Sequence, residues 1–337
     1  MINAASNENS RMALKVIGVG GAGINAVNAL VAAKLLDVKF LAAAMRESDL
    51  VGCDAHTQVM LTLPQDNGVG SPVLAEFLQG AGLLLIIAGI GGATGTTLAP
   101  VIARQARDAG ALVMAIVMRP FASEGKLRID QAEKGIELLR NCCDCLMIIP
   151  NDCLQQLQNC SGSLFDTFRV GDDIISEVIL ALTEQGREQG DCYVEMPRLR
   201  EILAKPGTAG IAIGSAGGEN RAVEAAQQAL ACPLIAGYTL NGAAGLIISI
   251  TGDSSVTVQE FTEAVNIIAS VAANDAPVVS GMAIDEALDG RIRVTIIATG
   301  LQEAPALPVH ETQEDPEQGF VSKMLLALKR FFRRTHG

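Results

Sequence analysis

The sequence predicts an α/β fold: a doubly wound parallel sheet in a nucleotide-binding domain, a central helix, and a smaller α+β C-terminal domain. Three observations carry this. From Leu14 to Pro150, short apolar runs alternate with helix-like stretches. Two of those runs lead into glycine-rich loops, VIGVGGAGINAVNAL from Val16 and LLLIIAGIGGATGTTLAP from Leu83. Aromatic residues are 3% of the chain with no Trp, against 34 Gly, a composition suited to close helix–sheet packing.

Taken in order, Met1–Met12 reads as a loose arm and Leu14–Val19 as a buried strand. A helix is expected over Ile24–Ala33, a strand over Val38–Ala44 and a third strand over Val59–Leu63. Leu83–Ala88 and Ala111–Met118 are strands, separated by a helix over Thr97–Asp108. Ile129–Arg140 is helical, and Cys145–Ile149 is a strand that Pro150 ends. A long helix is expected over Asp172–Gln185 and a short one over Met196–Ala204. A second strand–helix set occupies Gly210–Thr299, without further glycine loops. The expected domains are an arm (1–12), a nucleotide-binding domain (13–171), a central helix with an interface loop (172–206) and a C-terminal domain (207–301). Residues 302–319 hold three Pro and five acids, the composition of a flexible linker. Residues 320–337 form a basic terminal segment.

At 337 residues the chain has room for two domains, and no apolar run reaches the roughly 18 residues of a spanning helix. The start of the chain is polar and shows no leader, so a cytoplasmic location is expected. Net charge is −12, which argues against nucleic acid as a partner. Of eight Cys, Cys142, Cys143 and Cys145 crowd together. No His stands near them to complete a metal site, and burial as small reduced thiols is expected.

A strand–glycine loop–helix unit points backbone N–H groups and a helix dipole at an anion. One such loop is weak evidence; two in register indicate a nucleotide held by two helix N-termini. A dehydrogenase would want an acid about twenty residues past the first loop to bind ribose. Phe40–Met45 is uncharged there.

The ordered motifs VIGVGGAGINAV, GIGGATGTTLAP, RPFASEGKLR, IIPND, LFDTF and RVTIIATG resemble the bacterial tubulin homologue FtsZ, over about Leu14–Leu301. The resemblance implies GTP or GDP as ligand and head-to-tail filaments, in which the next subunit completes the GTP site. Gly20, Gly21, Ala22 and Gly23 match the first phosphate loop, and Asn25 a nucleotide-contacting Asn. Gly91, Gly92, Ala93, Thr94, Gly95 and Thr96 match the second loop. Glu124 and Arg128 match residues near the ribose and terminal phosphate, and Phe168 the ring that stacks on guanine. Asp173 matches the carboxylate that reads the guanine N–H edge, a bidentate acceptor role.

The departures bear on catalysis. Ala44, Met45 and Arg46 stand where the family carries Asn-Thr-Asp, so a magnesium-side acid is replaced by a cation. The segment PQDNGVGSPVLAEFLQ is shorter than the family's γ-phosphate loop and following helix, and Ala93 and Thr97 replace glycines. In CYVEMPRLREIL, Tyr193, Glu195 and Arg198 stand for the family's Asn-x-Asp-x-x-Asp. Glu195 keeps a carboxylate that can orient water. Arg198 stays protonated and has no acceptor, so little or no hydrolysis is expected. Two alternatives stay open: an active division GTPase using Glu195, and a scaffold that assembles without nucleotide.

The last segment, FVSKMLLALKRFFRR, places Phe320, Val321, Met324, Leu325, Leu328, Phe331 and Phe332 on one helical face. Lys323, Lys329, Arg330, Arg333 and Arg334 fall on its flanks and back, and the segment holds no acid. Such a basic amphipathic helix reads as a membrane-surface anchor on the inner face of the cell membrane. The expected partners are a second copy of the chain, an anionic membrane surface and an ordinary FtsZ.

Overall fold

The computed structural model describes residues 13–33, 38–62, 71–157, 163–184, 196–205, 207–240, 242–273 and 275–303. In chain order the elements are β1 (Leu14–Val19), α1 (Gly20–Ala32), β2 (Lys39–Ala44), β3 (Thr57–Met60), α2 (Pro72–Leu78), β4 (Leu83–Gly89), α3 (Ala93–Asp108), β5 (Leu112–Arg119), α4 (Lys126–Cys142), β6 (Cys145–Pro150), α5 (Asn151–Leu157), α6 (Leu164–Glu184) and α7 (Met196–Leu203). They continue as β7 (Thr208–Gly217), α8 (Arg221–Leu230), β8 (Tyr238–Thr239), β9 (Gly245–Gly252), α9 (Val258–Ala269), β10 (Val278–Ile284) and β11 (Arg291–Glu303). Two compact units result. One comprises residues up to Asp152 together with Glu195–Pro206; the other comprises Cys153–Val194 and the chain from Gly207 onward.

In the first unit six parallel strands run in the order β6-β5-β4-β1-β2-β3. β1 and β4 are buried along their length apart from Gly89 at the end of β4, which explains why their sequences are continuously apolar rather than alternating. The chain winds outward from β1 to β3, then returns to β4 on the other side of β1 and winds to β6. The order therefore reverses between β1 and β4, and a doubly wound sheet opens its crevice at the carboxyl ends of those two strands. Val19 lies level with Ala88 there.

One charged side chain is buried within β1. Lys15 Nζ donates to the carbonyls of Phe77 and Gln79, both at 2.7 Å, and lies 5.4 Å from the centre of the Phe77 ring. A cation among the last carbonyls of α2 suits the helix dipole. Burial and the neighbouring charge of Lys39 lower the Lys15 pKa. The short α2 is thus tied to the central strand. Cys142, Cys143 and Cys145 are buried as expected, and burial pushes the Cys143 thiol up to about 12.

In the second unit β9 and β10 run parallel, and β11 lies antiparallel between β9 and β7. β8 pairs with the end of β11. Ile174, Ile175, Val178, Ile179 and Leu182 put one buried stripe along α6. Glu177 on that helix forms a buried ion pair with Arg293 of β11 at 3.2 Å, and Thr295 Oγ1 donates to its other oxygen at 3.3 Å. A second pair joins α8 to α9: Arg221 Nε donates to Glu260 Oε1 at 2.6 Å and Nη2 to Oε2 at 3.1 Å. Glu260 also closes the capping box of α9 with Thr257. The Arg221 guanidinium holds the Glu260 carboxyl down at about 2.

Four helices begin earlier than the sequence indicates, among them α4 at Lys126 rather than Ile129. α1 starts at Gly20 rather than Ile24, and α3 at Ala93 rather than Thr97, because each glycine loop winds directly into helix. α6 starts at Leu164 rather than Asp172. Ser163 and Asp166 set that start: Ser163 N donates to Asp166 Oδ2 at 3.0 Å, and Asp166 N donates to Ser163 Oγ at 3.1 Å. The third strand is Thr57–Met60 rather than Val59–Leu63.

Candidate functional site

Both glycine loops lie at the carboxyl ends of β1 and β4. Two close approaches seat them there. A Cβ on Gly23 would meet Ile87 O at 2.2 Å, and a Cβ on Gly95 would meet Gly89 O at 2.2 Å. The first turns of α1 and α3 therefore rest on the end of the same strand, β4. The loops also touch each other, with the Cβ position of Gly20 3.1 Å from Thr94 Cβ. Neither helix is capped by a side chain, and neither has an acid in its first turn. The early N–H groups of both helices are left without capping side chains.

Gly21 and Gly92 differ from the packed glycines. A Cβ at either would meet nothing within 4 Å. Packing does not call for glycine at these positions, and the added carbon would only fill open space in front of the loops. A ligand brought close to the backbone is what such a cradle fits. Ala22 and Ala93 are exposed, Thr94 is half-buried, and Asn25 projects exposed from α1. Thr96 Oγ1 accepts from Gly91 N at 2.9 Å and fixes the second loop. Thr97 donates to Ala93 O at 2.7 Å within the helix, so its extra atoms are taken up locally.

The turn after β5 brings Glu124 and Arg128 to the same edge. Arg128 Nη1 lies 3.0 Å from Glu124 Oε2, while Glu124 Oε1 accepts from Phe121 N at 2.8 Å. A Cβ on Gly91 would meet Arg128 O at 2.9 Å, so the start of α4 lies against the second loop. On the other flank, Arg46 follows β2. Its Nε and Nη2 donate to the two Asp49 oxygens at 3.2 and 3.0 Å.

Asn151, at the carboxyl end of β6, was not singled out from the sequence. It is 6% exposed, and its Oδ1 has no hydrogen-bond partner. A buried amide oxygen without a partner costs free energy. The signal in the sequence was its position, directly after a strand that Pro150 ends.

The remaining site residues lie on α6 of the second unit or elsewhere. Phe168 is 44% exposed, and Asp173 is half-buried further along the helix. Beside it, burial and the charge of Asp173 push the Asp172 carboxyl up to about 7. An unfolded Asp ionises near pH 4, so folding retains a proton between roughly pH 4 and 7 and stability falls as pH rises through that window. Asp172→Asn is expected to change urea stability little near pH 4 and to raise it by about 2–3 kcal/mol near pH 8. Equal gains at both pH values would show that Asp172 does not hold its proton. Arg198 lies in the first turn of α7, exposed and 3.7 Å from Glu201. Glu195 and the segment Phe320–Arg334 lie outside the described residues.

A doubly wound sheet with two uncapped glycine loops at its switch point defines a nucleotide-binding domain. Residues 71–159 match the Tubulin/FtsZ family GTPase domain, and residues 207–302 match the FtsZ family C-terminal domain. A mutant FtsZ of M. jannaschii superposes with a TM-score of 0.79 at 28% identity, covering 86% of this chain and 95% of that one. An empty FtsZ dimer from the same organism gives 0.78 at 26%, covering 93% and 100%. The GTPgS-bound protofilament of CetZ2 from Haloferax volcanii shares the fold, with a TM-score of 0.68 at 17% identity and coverage of 95% and 99%. The chain belongs to the tubulin/FtsZ family.

Proposed function

We propose that this chain is a divergent FtsZ-like cytoskeletal protein that binds guanine nucleotide, assembles head to tail on a membrane, and hydrolyses GTP slowly or not at all. The observation that carries the nucleotide reading is the open cradle at Gly21 and Gly92, set between two helix N-termini without capping side chains. Asn151 offers its free amide oxygen at the same sheet edge. The resemblance to the family assigns the guanine-stacking ring to Phe168 and the guanine-reading carboxylate to Asp173. Self-assembly is supported by similarity to an FtsZ dimer and to a CetZ2 protofilament.

Slow hydrolysis follows from Arg198, which offers donors where water would need an acceptor. In a filament it faces the neighbouring subunit's nucleotide as a charge clamp.

The membrane reading rests on residues 320–334. Five cations contribute up to about 5 kcal/mol near an anionic leaflet, at roughly 1 kcal/mol each. Buried Phe and Leu side chains add a comparable amount, less the cost of ordering the helix. A filament multiplies such weak anchors.

Sedimentation with liposomes tests the whole. Full-length protein is expected to pellet with vesicles containing about 30% anionic lipid and not with neutral ones, more so with GTP. Protein lacking residues 320–337 is expected to stay in the supernatant. Equal pelleting of both forms would refute the anchor. Freshly purified protein without guanine nucleotide, and unable to take it up, would refute the nucleotide reading.

A further inference from the structure

The sheet of the second unit carries helices on both faces, and on one face the cover stops a strand short. The registers identify the faces. Arg293 of β11 is level with Thr251 of β9 and Ala283 of β10, and Arg293 meets Glu177, so this level faces α6. The next level runs Gly214, Val294, Ile250, Met282 across β7, β11, β9 and β10, and it points the other way. There α8 rests on β7, because a Cβ on Gly214 would run into the carbonyl oxygen of Ala225. α9 packs beside α8 and against β9. Val294 and Ile250 are fully buried under this cover. Met282, at the same level on the edge strand β10, is 43% exposed, and Ile284 on the same face is 56% exposed. β10 also lacks Lys, Asp and Glu, the charges that usually guard an edge.

Two observations say what covers this face. The first is charge. Residues 207–303 hold ten Asp and Glu, three Arg and no Lys. Each Arg is engaged within the unit: Arg221 by Glu260, Arg293 by Glu177, and Arg291 through Nη2, which donates to Ser215 O at 2.9 Å. Exposed acids flank β10, Asp275 before it and Glu286 after it. Such a surface suits a cationic partner, whereas a second copy of β10 would bring like charges against it. Residues 320–334 carry five cations and no acid beside their apolar side. The second observation is reach. β11 ends at Glu303, two strands from β10, about 10 Å at ordinary strand spacing. Thr299 is level with Gly245 and Val278 with Leu246, so the chain leaves β11 at the end of the sheet where β10 begins. Residues 304–319 span up to about 50 Å when extended, several times the distance needed.

We propose that residues 320–334 dock as a helix over β10, with their apolar side on Met282 and Ile284 and their cations toward the flanking acids. The consequence rests on the membrane reading above. One apolar side cannot lie on the protein and in a bilayer at once, so docking restrains the anchor until an anionic surface competes for it. Apparent membrane affinity is then reduced to the fraction of tails that are free.

The double variant Met282→Thr, Ile284→Thr tests this, since it keeps strand propensity, adds no charge and removes the apolar footing. Full-length variant is expected to bind vesicles of about 30% anionic lipid at least about fivefold more tightly than wild type, at concentrations too low for assembly. A synthetic peptide of residues 320–337 is expected to bind protein ending at residue 319, which keeps every described residue. It is expected to bind the same truncated protein with both Thr substitutions at least about tenfold more weakly. An unchanged melting temperature certifies the fold, and Met282→Thr alone serves if the double variant melts lower. Equal vesicle affinity of the two full-length forms overturns the proposal, as does a peptide that binds both truncated proteins equally or neither. Self-association of the truncated protein through Met282 and Ile284 would make this face an interface between copies and overturn it as well. Vesicles that take up neither full-length form nor the free peptide refute the membrane reading and the restraint with it, while the peptide titration alone decides the docking.

Discussion

Glu177→Ala is expected to destabilise the second unit by about 3–5 kcal/mol, the cost of stripping one partner from a buried ion pair. Glu177 and Arg293 are 7% and 4% exposed, 3.2 Å apart, and Thr295 Oγ1 adds a hydrogen bond to the same carboxylate. Removing the carboxylate takes the 3.2 Å partner from a buried guanidinium, whose other carboxylate neighbour, Asp285, lies at 3.8 Å. Glu177→Gln keeps the hydrogen-bond acceptor but not the charge and should fall between. Urea unfolding of the full chain measures both. A loss below about 1 kcal/mol for Glu177→Ala would mean that water reaches Arg293. The helix α6 also carries Phe168 and Asp173. On the proposed nucleotide reading, a loosened α6 would weaken guanine binding as well.

Arg198→Asp is expected to raise GTP turnover by about 100-fold, the lower end of the range over which one positioned catalytic group typically acts. Arg198 is exposed in the first turn of α7, and among the described residues the replacement loses the 3.7 Å pair with Glu201. Phosphate release at protein concentrations that support assembly is the measurement. A variant that assembles and turns over no faster than wild type would remove Arg198 as the cause of slow hydrolysis.

The parallel half was readable because its central strands are buried, largely apolar runs and each glycine loop follows one directly; β3, TQVM with Val59 alone buried, lacks that signal and was misplaced. Helix starts were less readable. The onset of α6 depends on Ser163 and Asp166, a reciprocal cap that looks like an ordinary polar stretch until the chain turns at Ser163. Lys15 inside β1 breaks an apolar run, and nothing local announces that the carbonyls of Phe77 and Gln79 will receive it. Asn151 escaped for a similar reason: its burial and its unpartnered oxygen are properties of the folded edge. Glu124 and Arg128 were singled out through the resemblance to the family, and the fold brings them to the edge that carries the second glycine loop.

Four of the loop glycines divide between two masters. Gly23 and Gly95 answer to the carbonyls of β4, so any chain with this architecture must retain them, whether or not it holds a ligand. Their presence is a certificate of folding. Gly21 and Gly92 have open space before them, so packing does not hold either position to glycine. A relative that had abandoned its nucleotide would be free to acquire side chains at these two sites first, well before the motif as a whole became unrecognisable.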